Sequence, residues 1–150
     1  MLQHIICVRS VSTKNGTKSF GNEPGATRFL KIPNNALPHP EDHRIGKAEW
    51  VSEVLENAET GTNPETGKPI GDILVFVHGY NADQKTVLKR HRRLEADVHE
   101  AGFKGTVISY DWPSGTSAMA YLEDRDDAKA TAKRLRDDCI GLFSARQARG

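Results

Sequence analysis

The sequence is short of cysteine, and that excludes several classes at once. Cys7 and Cys139 are the only two, far apart in the chain. No CxxC and no zinc-type spacing exists. One thiol falls in an expected strand and the other in an expected helix. Buried free thiols in a reducing compartment fit better than a disulfide. Charge of one sign is also missing. Lys and Arg number 21 against 20 Asp and Glu, a formal net charge of +1. Such a balance gives no whole-protein argument for nucleic acid or an anionic membrane. Nothing approaches the apolar length of a membrane span. The first residues lack a basic segment followed by an apolar run long enough for a signal peptide. The expectation is a soluble, cytoplasmic protein. The apolar fraction is modest, 37%, but 150 residues suffice for one domain with a core. HExxH, a Gly-rich phosphate loop and G-x-G-x-x-G are absent, so no metal and no cofactor is expected. Residues 10–16 could turn beneath a nucleotide, but no helix follows at once, which disfavours a flavodoxin or Rossmann reading.

What is present centres on one stretch. Ile73-Leu74-Val75-Phe76-Val77 follows Asp72 and stops at His78-Gly79-Tyr80-Asn81. Five apolar residues without alternation predict a strand buried on both faces. Asp83 is the expected N-cap of the next helix. Val87, Leu88, Leu94, Val98 and Ala101 share one face of it, with His91 on the margin, and Gly102 ends it. Lys89, Arg90, Arg92 and Arg93 occupy the other side. Glu95, Asp97 and Glu100 share the helix, so this side reads as a solvated face rather than a nucleic-acid patch. Residues 105–113 predict the next strand, stopped by Pro113. A long helix to about residue 142 follows, with an acidic run, Glu123, Asp124, Asp126 and Asp127, near its start.

Upstream the pattern is looser. Residues 2–11 predict a first strand and residues 27–32 a second. Residues 12–25 read as loop or hairpin turn. Residues 33–46 hold three prolines and His39, Glu41, Asp42 and His43, whose spacing matches no zinc pattern. Residues 47–58 return to helical spacing, with Trp50, Val51, Val54, Leu55 and Ala58 on one stripe. Trp50 is the expected core anchor. Residues 60–71 read as an exposed loop. The whole predicts one α/β domain: residues 1–71 supply N-terminal strands, loops and one helix, and residues 72–143 a βαβα core. The two later strands should be parallel neighbours between flanking helices, a three-layer αβα arrangement. Their ends, His78-Gly79-Tyr80-Asn81 and Asp111-Trp112-Pro113-Ser114, should share one rim.

Those two strand ends, in this order, followed by a helix carrying Tyr121-Leu122-Glu123-Asp124-Arg125, resemble the α/β-hydrolase superfamily. More narrowly they are similar to its esterase/lipase-like, DUF900-type group. The resemblance covers about residues 70–143. It implies a partial α/β-hydrolase sheet, with the N-terminal third supplying its first strands. It also implies that the His-Gly turn supplies part of an oxyanion hole. Acyl transfer passes through a tetrahedral oxyanion, and losing one fixed N–H donor to it costs about 3–4 kcal/mol. The implied donor is a backbone N–H near Tyr80 or Asn81, and Gly79 allows the tight turn. His78 would hold the turn by a side-chain hydrogen bond. Asp111, Trp112, Pro113 and Ser114 form the implied substrate side, with Trp112 and Ser114 lining the mouth.

The superfamily's nucleophile sits on a G-x-S-x-G elbow after the following strand. Residues 1–150 hold no such motif. Gly115-Thr116-Ser117-Ala118-Met119 begins like one, but Met119 replaces the second glycine. His4, His39, His43, His91 and His99 occupy no position that follows a nucleophile and an acid. The expectation is the N-terminal part of a serine hydrolase for a small ester or acyl substrate, inactive alone. The alternative is a non-catalytic half-domain. Strand 73–77 would then offer an unpaired apolar edge to a second copy or a swapped strand.

Overall fold

The computed structural model describes residues 2–34, 36–78 and 83–113, with residues 133 and 137 beyond them. The expected long helix, Ser117 and Cys139 therefore lie outside the described residues. Among the described residues six strands and two named helices follow in the order β1 (Gln3–Lys14), β2 (Thr17–Ile32), α1 (Lys47–Ala58), β3 (Glu59–Thr62), β4 (Pro69–Gly71), β5 (Ile73–Val77), α2 (Gln84–Glu100) and β6 (Thr106–Asp111). Four strands make one sheet in the order β2-β1-β6-β5. β1 pairs antiparallel with β2 and parallel with β6, and β6 pairs parallel with β5. The sheet is mixed, with helices on both faces, as a partial α/β-hydrolase sheet requires.

Side-chain alternation along β1 and β6 assigns the faces. Ile6, Val8, Ile108, Tyr110 and Trp112 pack with Trp50, Val51 and Val54 of α1. Ile5 and Cys7 turn to the other face and pack with Leu30, Ile32 and Leu88 of α2. A strand covered by helices on both sides buries every residue. Residues 3–9 of β1 are mostly buried, including the polar Gln3, His4 and Arg9. Trp50 is fully buried, donates its indole N–H to the Leu30 carbonyl at 3.0 Å, and is the anchor expected of it.

The apolar run of β5 is not the most buried strand. Ile73, Leu74, Val75 and Phe76 are half-buried and Val77 is 43% exposed. Among the described residues β5 pairs with β6 alone, at one margin of the sheet, so one side of it has less cover. Of the two readings of residues 12–25, loop or hairpin turn, the hairpin is the one present. These residues form the arms of a long β1–β2 hairpin, closed by Asn15 (φ 53°) and Gly16 (φ 76°). Two left-handed residues in a row make the two-residue turn that suits the strand twist, and Asn-Gly is its preferred sequence. The register shifts between Cys7 and Arg9 and again between Arg9 and Val11. Gly25 sits at this irregularity: a Cβ there would lie 2.5 Å from the Arg9 carbonyl oxygen.

Residues 60–71 likewise contain structure. β3 and β4 form a small antiparallel pair, exposed throughout. α1 spans the residues that its stripe predicts. α2 begins at Asp83, whose carboxylate accepts from the Thr86 N–H at 2.8 Å, and gives way to Gly102 at φ 106°. His91, expected on the margin of α2, is fully buried, and Glu95, one turn further on, is 8% exposed. No helix among the described residues is long and apolar enough to cross a membrane.

Candidate functional site

β5 and β6 pair in register up to Val77 opposite Tyr110. The next residues, His78 and Asp111-Trp112-Pro113, therefore meet at one rim, as expected of adjacent parallel strands. His78 is 2% exposed and its ring stacks on the Trp112 indole, with centroids 5.3 Å apart. The Trp112 indole N–H donates to the His78 carbonyl at 2.9 Å. The His78 Nε2 atom lies 2.8 Å from the Trp112 carbonyl oxygen and 3.2 Å from its backbone nitrogen. It donates to the first in one tautomer and accepts from the second in the other. Either way, the end of β5 is tied to the end of β6 in both directions. Pro113 is buried beside Trp112. Gly79, Tyr80, Asn81 and Ser114 lie outside the described residues.

Asp111 draws in three further elements. Its Oδ1 accepts from Arg9 Nε at 2.7 Å, and both side chains are almost fully buried. Its Oδ2 accepts from Gln84 Nε2, in the first turn of α2, at 2.8 Å. His78 Nε2 lies 3.4 Å from Oδ1. Arg9 also donates through Nη1 to Asn22 Oδ1 at 2.7 Å. The Cys7 thiol completes the group, 3.6 Å from Oδ2.

A scan of family models matches residues 57–148, more than half of the chain, to one family, described as an alpha/beta hydrolase of unknown function, DUF900. The chain belongs to this family. No curated protein and no solved structure matches it. The matched span holds β5, α2 and β6, hence His78, Gln84 and Asp111. Arg9, Cys7 and Asn22 come from strands before it.

In this DUF900 chain the rim carries one buried charge pair. Burial alone would raise the Asp111 pKa. The His78 hydrogen bond, the Arg9 charge and the Gln84 amide outweigh that and hold it below the ordinary carboxylate value. The Cys7 thiol is pushed well up by burial and by the Asp111 charge beside it. A thiol so placed is a poor nucleophile.

One level below, the same face of β6 meets α2 again. Ser109 Oγ is hydrogen-bonded to His91 Nδ1, and His91 Nε2 lies 3.2 Å from Glu95 Oε2. The order serine, imidazole, carboxylate has the parts of a charge relay. Ser109 and His91 are both fully buried, so no substrate reaches the hydroxyl. The array fastens helix to strand.

A cleft of about 580 Å³ lies at the opposite end of the strands, between Leu2, His4, Glu53, Glu95, His99 and Lys104. Glu53 there accepts from His4 and from Lys31, each at 2.8 Å, and these bonds hold its pKa down. In the Pro-rich segment, His39 Nδ1 accepts from the backbone N–H groups of Glu41 and Asp42. His43 Nδ1 accepts from the His39 N–H. Both residues are half-buried, and their ring nitrogens serve as acceptors within the loop. Among the described residues no group of three or more His, Cys, Asp or Glu is placed to hold a metal.

Sequence reasoning did not find Arg9, Gln84 or Ser109. An arginine in an otherwise apolar strand was a usable signal, because a buried charge demands a partner. Gln84 and Ser109 carried no signal of their own.

Proposed function

We propose that this DUF900 chain carries the oxyanion-hole turn of a serine hydrolase acting on a small carboxylic ester or related acyl bond. One observation supports it most: the two flanks of residues 79–82 are fastened, through His78 and Gln84, to the end of β6. A turn held at both ends can aim backbone N–H groups at a developing oxyanion without reorganising. In this reading, N–H groups near Tyr80 or Asn81 are the donors. His78 is structural, because its Nε2 is engaged with Trp112 and Asp111. Trp112, Pro113 and Ser114 wall the mouth. Asp111, 2% exposed, acts through its partners.

The reading gives residues 1–150 no nucleophile. With p-nitrophenyl butyrate, this chain releases no stoichiometric burst of nitrophenol, and such a burst would contradict the assignment. The turn itself is tested with methylphosphonate, a tetrahedral oxyanion mimic. In a titration followed by ¹H–¹⁵N NMR, the Tyr80 and Asn81 amides move together and saturate. If they stay still while other residues respond, the oxyanion reading is lost.

A second reading rests on the half-covered β5. Among the described residues its outer side is unpaired, and Val77 is exposed. Such an apolar edge is suited to pairing with a second copy or a swapped strand. Light scattering that shows a monodisperse monomer at millimolar concentration would remove this reading.

A further inference from the structure

We infer that a cleft between β2 and the start of α1 binds a phosphomonoester, a role independent of the oxyanion reading above. Residues 43–45 lie along the outer edge of β2. The Lys31 N–H donates to the His43 carbonyl at 2.9 Å, and the Ile45 N–H to the Phe29 carbonyl at 3.0 Å. The chain then leaves the strand to enter α1. A cleft of about 380 Å³ lies where the two separate, between residues 27–29 and 44–47. That volume is within the range of small-ligand sites.

Charge of one sign gathers there. Arg28, Arg44 and Lys47 line the cleft, and none of the described residues lining it is acidic. The whole chain has a net charge of only +1, so this excess is local. Other cations are matched: Arg9, Lys18 and Lys31 each have a carboxylate oxygen at 2.6–2.8 Å. Among the described residues Arg28, Arg44 and Lys47 have none within ion-pair distance. Arg28 Nη1 donates to the Ala26 carbonyl, at a long 3.4 Å. A cleft lined by charge of one sign focuses its field and concentrates counter-ions. Guanidinium forks match phosphate oxygens in pairs, which selects a phosphoryl group over a simple halide. Phe29 and Ile45 supply apolar wall, so the group esterified to the phosphate has a surface to pack on. By register Arg28 stands opposite Cys7, and Cys7 opposite Asp111. The cleft is therefore level with the rim, at the end of the sheet where α/β proteins bind ligands. It lies two strands from β6, roughly 10 Å, so its cations can be changed without touching the Arg9–Asp111 pair.

The test titrates this chain with phenyl phosphate, followed by ¹H–¹⁵N NMR and calorimetry. The Ile45, Gly46 and Lys47 amides move together and saturate, and phenyl phosphate binds more tightly than inorganic phosphate. Arg28→Gln and Arg44→Gln each weaken it about tenfold, the scale of one lost hydrogen bond to a charged group. Lys89→Gln, which removes an exposed cation on α2, leaves the affinity unchanged. Amides at 45–47 that stay still overturn the site. Equal losses in Lys89→Gln and the arginine variants also overturn it, since general charge would explain them. Equal affinity for inorganic and phenyl phosphate overturns the ester. Should Arg28→Gln lower the urea midpoint, the exposed Arg44→Gln decides. Vesicles of phosphatidylcholine with phosphatidic acid distinguish the source of the phosphate. Cosedimentation that Arg44→Gln abolishes assigns the ester to a lipid headgroup, and absence of cosedimentation assigns it to a soluble ligand.

Discussion

Replacing Arg9 with methionine should cost far more than its place on the map of surface charges suggests. The side chains of Arg9 and Asp111 are 1% and 3% exposed, and their atoms meet at 2.7 Å. Removing one partner of such a pair leaves the other charge buried and uncompensated, at a cost of about 3–5 kcal/mol. Methionine fills much of the same volume, so little of this is cavity. Domains of this kind are stable by about 5–15 kcal/mol, so the variant is folded but marginal. With a urea slope of about 1–3 kcal/mol/M, the midpoint falls by roughly 2 M. The double variant Arg9→Met/Asp111→Asn removes both charges. Its loss should be smaller than the sum of the two single losses by about 2 kcal/mol or more. Lys18→Met is the contrast. Lys18 and Glu41 approach closer still, 2.6 Å, but are 46% and 59% exposed. Water screens that pair, and the midpoint should not move measurably. The assay is urea unfolding followed by circular dichroism at pH 7. Strict additivity in the double variant, or an Arg9→Met midpoint within 0.5 M of wild type (roughly the spread of extrapolated stabilities), would refute the reasoning.

Asp111 also gives stability a pH dependence. Its folded pKa is depressed, so the contribution is complete above the unfolded value of about 4 and is lost as pH falls through the lower folded value. Acid unfolding of Asp111→Asn should lack that part of the slope. Gly25→Ala places a Cβ 2.5 Å from the Arg9 carbonyl oxygen and 2.6 Å from the Ser10 Cα, and backbone cannot step aside. A loss of about 1–3 kcal/mol is expected in thermal melts. Ser109→Ala leaves His91 Nδ1 without its buried partner, for a loss of about 1–3 kcal/mol by urea titration. A loss under about 0.5 kcal/mol would mean the imidazole finds another partner.

The parts that were legible in the sequence share a property: each is written locally. The α1 stripe, the Asp83 cap and the Gly102 stop need only neighbours within a few turns. The meeting of His78 with Asp111-Trp112 is nearly as local, since strand, helix, strand leaves two parallel ends side by side. The Asn15-Gly16 turn was written just as locally, and a hairpin turn was one reading of residues 12–25, but the polar residues around it hid the length of its arms, because an exposed two-stranded arm buries too little to show alternation. β5 misled for a different reason. An apolar run reports how much a strand can bury, not where it sits in the sheet, and sheet order gives β1 and β6 the two-faced positions instead.

His78 and Asp111 were legible as rim residues, but the polar pairing that links them to Arg9 and Gln84 was not. Arg9 breaks the apolar pattern of β1, and Asp111 ends β6 like any rim carboxylate. Each makes sense only against the other, across 102 positions of sequence. Periodicity carries no information at that range. The same holds for His91 and Ser109, which look like an ordinary helix margin and an ordinary strand interruption until α2 is laid on β6. A buried charge in an apolar strand costs stability unless something distant repays it. Such a residue therefore marks a constraint even when its partner is unknown. In this chain the constraint at Arg9 leads to Asp111, and from Asp111 to Gln84 in the first turn of α2 and His78 at the end of β5.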